Sequence, residues 1–370
     1  MAALFLVASA AADDGYWTNP GGGSWANAGN WDPDNGIADG TDSTAFFGIE
    51  ATIPANATFT LDGARTIGNL LFTASSGPDN WTLNTGSGGP LTLDATFDRP
   101  AITVALANQQ VAVNTVLAGT NGLEKLGNGT LVLTAANTYS GSTLITEGVL
   151  RVNGQVGADG ITNASGYLEG AGLISGPVVV QSGATFCPSN SLGTLSLSNT
   201  LTLQAGSTTL IEVNAATSGH DTIQGLSGIS YGGTLVVTNL GGTLAVGQSY
   251  PVFHAASASG NFANITPKPG ADLRWRFDPG SGILSIVSTA SQPGFANIAL
   301  AGTNVVAHVT NGPPSVTAYV LVSTNVALPR TNWTHLVTNT FDVTGDFTFT
   351  NVITPSAPQR FYLISVPVVP

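Results

Sequence analysis

The chain has 370 residues, with 46 Gly, 20 Pro, 9 Lys plus Arg against 21 Asp plus Glu, and a net charge of −12. Only 8 % of its residues are charged, against about 25 % in an ordinary globular protein, while 42 % are hydrophobic. That balance excludes a disordered chain and a long-helix or coiled-coil protein, leaves little basic surface for nucleic acid, and a single Cys excludes an internal disulfide. Solubility must come from Thr, Asn, Ser and Gly. Thr favours strands, while Asn and Gly favour turns, so many short strands joined by tight turns are expected.

In chain order, residues 2–12 read AALFLVASAAA. The run is too short to span a membrane, and Ala8-Ser9-Ala10 forms an A-x-A-like cleavage site, so an export signal is expected, although no Lys or Arg precedes it. The alternative is a retained apolar strand that adds to a neighbouring subunit, with Leu4, Phe5, Leu6 and Val7 as assembly candidates. Residues 13–120 read as an N-terminal cap and the first coils, and 121–289 as further coils.

Period-two alternation recurs, as in Thr130-Leu-Val-Leu-Thr134 and Thr234-Leu-Val-Val-Thr238, and predicts an all-β chain. Gly-Thr-Leu recurs from Gly129, Gly193, Gly233 and Gly242, and Asn-Gly turns are frequent. Short strands at close spacing, each opened by Gly, predict a solenoid of β-coils. A break falls near Ser288–Gly294, leaving 290–370 as a separate C-terminal domain whose apolar end includes Phe361, Tyr362 and Leu363, further assembly candidates.

Candidate chemistry is sparse. Asp32, Asp34, Asn35, Asp39 and Asp42 share one Gly- and Pro-containing loop, and oxygen ligands at that density could hold Ca²⁺. The spacing is not that of an EF-hand, so a solvated cap loop is the plainer reading. Trp17, Trp25 and Trp31 offer either bulky cover for the end of the solenoid or a stacking platform for surface glycans. The four His show no metal-binding spacing, Glu124, Glu147, Glu169 and Glu212 are scattered, and Cys187 has no evident base partner. No catalytic group and no resident cofactor is expected, and a polysaccharide-degrading enzyme is the least favoured reading.

The stretch from Gly122 to Val152 carries Lys125, the Gly127-x-Gly129-Thr-Leu131 turn, Asn137-Thr-Tyr139-x-Gly141-x-Thr143 and Gly148-x-Leu150. In this order it resembles the autotransporter-associated β-strand repeat, also called the passenger-associated transport repeat. The resemblance implies a right-handed parallel β-helix with the repeat at 122–152, and residues 295–370 resemble the small immunoglobulin- or fibronectin-type sandwich found at the end of some such proteins. The roughly 80 residues after Ala290 are too few for a membrane β-barrel, so the resemblance implies the passenger architecture without self-transport.

Stacked coils also account for the low charge, because identical charges would recur at every rung about 4.8 Å apart. Coils of roughly 20–25 residues would give about a dozen rungs. The expected function is non-enzymatic: an exported structural protein of the cell surface or extracellular matrix of a Gram-negative-type bacterium. It would associate with itself head to tail into a filament, with no nucleic-acid partner and no transmembrane span. The alternative is a surface adhesin or glycan-binding β-helix.

Overall fold

The structure is a computed structural model that describes residues 13–74, 79–157, 159–188, 191–289, 292–313, 315–353 and 359–366. It divides into two compact units, Met1–Val287 and Ser288–Pro370. Secondary structure among the described residues is all-β apart from two short 3-10 turns, Ala28–Asn30 and Arg330–Asn332. No helix of the described residues is long and apolar enough to cross a membrane.

In the first unit the chain visits three parallel sheets in rotation. Asn69–Phe72 lies in the first, Asn80–Thr85 in the second, Leu91–Leu93 in the third, and Ala101–Val104 returns to the first, where Asn69 pairs with Ala101. Among the described residues the first sheet holds eleven strands, from Gly15–Trp17 to Ala258–Gly260. The second holds twelve, running from Gly23–Ser24 to Asn264–Thr266 and including one antiparallel strand, Gly219–His220, off the path. The strand order is consistent with a parallel β-helix.

The third face is made by two parallel sheets. One contains Arg65–Ile67, Leu91–Leu93 and Leu117–Gly119, and the other runs from Gln155–Val156 to Phe253–Ala255. Coil length is less uniform than the sequence predicts. Ile161 pairs with Val178, 17 residues on, whereas Asn69 pairs with Ala101, 32 residues on. Register constrains only the strands, so extra residues are absorbed at the corners.

Alternation places one side chain in two inside, as in Thr44–Phe47 and Gln110–Val113. Inward columns form where successive coils pair: Leu70, Ile102, Lys125, Ile145, Asn163 and Val180 lie one above another. One continuous apolar core runs from Trp17 to Ile286. Outside, Asn114 Nδ2 donates to Asn84 Oδ1 (2.7 Å) and Thr134 Oγ1 to Asn114 Oδ1 (2.5 Å), an uncharged ladder across three coils.

The two ends of the stack are covered differently. Trp17, Trp25, Trp31, Phe47 and Phe59 fill the first, with ring centroids 4.6–5.9 Å apart. Here Gly15 is required, because a Cβ would lie 2.5 Å from Ala38 N in the segment crossing above it. At the other end Tyr231, Phe253, Phe262 and Phe277 pack beside an antiparallel sheet of Ser249–Pro251, Leu273–Asp278 and Ile283–Ser288.

The second unit contains two three-stranded antiparallel sheets. One orders Gly294–Ala301, Asn304–Thr310 and Phe347–Val352; the other orders Thr334–Thr340, Thr317–Ser323 and Phe361–Ser365. Ala307, Val309, Phe347 and Phe349 from the first join Ala318 and Val320 from the second, with Phe341, in a single buried cluster.

Candidate functional site

The repeat segment is where the sequence places the most specific pattern, and the structure makes it a set of internal joints. Lys125 occupies an inward column position between Ile102 and Ile145 and is fully buried. Its stem fills core space. Its Nζ turns to the corner and donates to the carbonyls of Leu126 (2.8 Å), Gly127 (2.6 Å) and Glu147 (3.3 Å). All three ammonium protons thus have acceptors. Burial pushes the amine down from its ordinary 10.5 to about 8, partly offset by the Glu147 carboxylate. That carboxylate also accepts from the Gly127 N–H (3.1 Å), joining one coil to the next.

Asn137 works where the third face changes sheets. Its Oδ1 accepts from Leu117 N–H (3.0 Å) in the coil below, and its Nδ2 donates to Ala135 O (3.1 Å) and Gln155 O (3.0 Å) in the coil above. The side-chain amide adds to the single parallel bridge, Ala136 with Gln155, that joins the coils there. Tyr139, also buried, shares a 2.6 Å hydrogen bond with Thr143 Oγ1, and burial pushes its phenol up to about 12.

Leu131 is fully buried in the core, while Gly127, Gly141 and Gly148 have φ of +73°, +84° and +59°. At Gly148 an added Cβ would also meet the Gly127 and Gly129 carbonyl oxygens at 2.4 and 2.5 Å, so two coils touch through backbone alone. Gly129 is equally confined, with Val104 Cγ1 2.5 Å from where a Cβ would sit.

The other candidates fare differently. Trp17, Trp25 and Trp31 are inside, with their indole N–H groups donating to Asn19 O (2.6 Å), Ala38 O (3.1 Å) and Trp25 O (2.8 Å). Their faces are taken by one another and by Phe47 and Phe59. A glycan-stacking platform at these three positions is therefore corrected to a buried end cover.

The acidic loop does not converge. Asp32 accepts from Asp34 N–H (2.9 Å) and Asn35 Nδ2 (3.3 Å). Asp39 pairs with Arg65 (2.8 Å) and takes the Thr66 N–H (3.0 Å). Asp42 accepts from Thr96 Oγ1 (2.5 Å) and N–H (2.7 Å), which hold its carboxyl below the usual range. Among the described residues no three His, Cys, Asp or Glu side chains gather as metal ligands, and Asp32, Asp39 and Asp42 each serve a separate local bracket. Leu4, Phe5, Leu6 and Val7 lie outside the described residues. Phe361, Tyr362 and Leu363 stand on an edge strand of the second unit and line, with Val326–Arg330 and Trp333, an open cavity of about 560 Å³.

Two polar joints escape sequence reasoning. Asp221 is fully buried and accepts from the N–H groups of Gly193 (2.9 Å) and Glu212 (2.7 Å). Arg151 pairs with Glu169 (2.6 Å) and donates to Gln110 Oε1 (3.0 Å). The available signal for the second was spacing, since residues 151 and 169 stand in register on adjacent coils.

Residues 123–152 match the family model described as Passenger-associated-transport-repeat. The chain is similar to the Adhesin BmaC autotransporter of Brucella suis biovar 1 (strain 1330), with 32 % identity over 278 residues, 68 % of this chain and 8 % of that protein. It is also similar to the Extracellular serine protease of Serratia marcescens, with 36 % identity over 97 residues, 26 % of this chain and 9 % of that protein. The chain thus spans less than a tenth of the length of these curated relatives. The chain thus carries a passenger-associated-transport repeat at residues 123–152, in which Lys125, Asn137 and Tyr139 are the joints between coils.

Proposed function

We propose that this chain is an exported, non-enzymatic passenger-type module at the surface of a Gram-negative-type bacterium. It acts as an adhesive and structural rod, and its copies associate head to tail. The observation that carries this reading is the similarity to the Brucella adhesin over 278 residues. That length exceeds both the repeat and the second unit, so the likeness runs along the coil stack. In this reading the stack is a right-handed β-helix, the hand that parallel crossovers almost always take. The second unit is a small immunoglobulin- or fibronectin-like sandwich, a reading supported by its two antiparallel sheets around one cluster.

Uncharged ladders such as Asn84–Asn114–Thr134 supply the stack with repeating hydrogen-bonding groups for a surface partner, glycans included. The likeness to the Serratia protease is confined to about a quarter of the chain and carries less of the argument. The test is a solid-phase assay of purified protein on extracellular-matrix proteins and glycans, run beside a casein-cleavage assay. Saturable binding without cleavage is expected. Cleavage abolished by a serine-directed inhibitor, or no binding to any surface, would overturn the reading.

A further inference from the structure

The second unit is incomplete along one side. Thr334–Thr340, an edge of one sheet, lies against Phe347–Val352, an edge of the other. The remaining edges, Gly294–Ala301 and Phe361–Ser365, therefore share the opposite side. Ile298 pairs with Ala307 and Leu300 with Val305, and Ala307 pairs in turn with the buried Phe349. Directly paired residues share a sheet face, so Ile298 and Leu300 point to the core side. They are nevertheless 52 % and 74 % exposed. Beside them, Phe361–Ser365 pairs with Thr317–Ser323 alone among the described strands. The open cavity of about 560 Å³ lies along Phe361, Tyr362 and Leu363. The unpaired edge thus has an uncovered apolar inner face on one side, and on the other, where Phe361 and Leu363 alternate away from the core-facing Tyr362 and Ile364, the cavity, which is the layout of a site that accepts an added strand.

We propose that this side binds an extended apolar strand, and that the strand is residues 2–12 of a second copy. Of the stretches outside the described residues, only 1–12 exceeds the five residues of Phe361–Ser365; 354–358 equals it in length but carries two Pro, which cannot donate to a ladder. Its sequence, AALFLVASAAA, has no charge, so a chain of net charge −12 can present it to an apolar groove without repulsion. Leu4 and Leu6 would fall on one face of the strand and Phe5 and Val7 on the other, one set over Ile298 and Leu300 and one toward the cavity. The proposal rests on the head-to-tail reading above and gives it a contact.

The test uses the full chain lacking residues 2–12 and a fluorescent peptide of residues 2–12 carrying a Lys tag, followed by anisotropy, with light scattering of the intact chain alongside. Saturable binding is expected. It should weaken at least tenfold with Ile298→Asp plus Leu300→Asp in the protein, or with Phe5→Asp plus Val7→Asp in the peptide. Ile298 and Leu300 are exposed, so the double variant should fold, and far-UV circular dichroism checks this. No binding, or binding indifferent to the Asp substitutions, overturns the proposal. Oligomers that survive removal of residues 2–12 but disperse with the Asp pair also overturn it, by naming a different occupant. Peptide binding by a chain that stays monomeric at all concentrations upholds the groove and its strand and defeats the head-to-tail reading instead.

Discussion

The two units solve the same problem differently. Both are all-β, and both must dispose of strand edges and apolar faces. In the coil stack each coil is the partner of the next, and the outermost coils are closed by aromatic clusters, Phe47 with three Trp at one end and Phe277 with Tyr231 at the other. In the second unit one side keeps apolar inner-face side chains, Ile298 and Leu300, in water. Closure in a solenoid is built coil by coil, whereas a small two-sheet unit depends on having enough strands to cover both inner faces.

That contrast can be broken most severely at the first end of the stack. Phe47→Ala removes the ring that touches Trp25, Trp31, Phe59 and Phe72, and should cost about 3–5 kcal/mol in urea unfolding. The nearest coils should lose hydrogen-exchange protection, while the second unit keeps its own.

The next effect is a pH dependence. Lys125 has a folded pKa of about 8 against 10.5 when unfolded, so between those values the unfolded chain holds more protons. Stability should therefore rise as pH climbs from about 8 to 10, by up to about 3 kcal/mol relative to a Lys125→Met variant. Taking the difference removes other titrations, including that of Tyr139, whose raised pKa acts with the opposite sign above pH 10. Parallel curves for the two proteins would refute the buried-ammonium account.

Asn137→Ala should cost about 1–3 kcal/mol, because it strands the Leu117 N–H where the third face changes sheets and leaves the Ala135 and Gln155 carbonyls with their backbone donors alone. Protection should fall first at Leu117 and Gln155. The smallest effect belongs to the second unit. Ile298→Asp with Leu300→Asp should leave its unfolding free energy within about 0.5 kcal/mol, since the two side chains are 52 % and 74 % exposed in the single chain.

Much of the stack was legible because a strand in a solenoid writes its pattern locally. Gly129, Gly193 and Gly233 each open a strand, Thr130–Leu133, Thr194–Leu197 and Thr234–Asn239. The fourth Gly-Thr-Leu, from Gly242, forms no strand; Leu244 only packs against the core. The tripeptide says that a strand can start, and a neighbouring coil decides whether one pairs. The Trp residues were legible as bulky cover, but their full enclosure was not, because it depends on the 31–38 segment folding back over Gly15. The partners of the acidic loop were hidden for a similar reason: Arg65 and Thr96, from later coils, claim Asp39 and Asp42.

Composition and periodicity by themselves determined that the chain is all-β, stacked in coils and poor in charge, while the motif order at 122–152 carried the resemblance to the repeat family. These follow from the alternation of side chains along a strand and from the conformations open to Gly and Asn, which are properties of a few consecutive residues. Only the tertiary structure decided that Lys125 lies inside with its charge spent on three carbonyls, that the three Trp close an end, and that Ile298 and Leu300 face inward yet uncovered. Each of those depends on what a distant segment places above or beside the residue, and no local pattern carries that information.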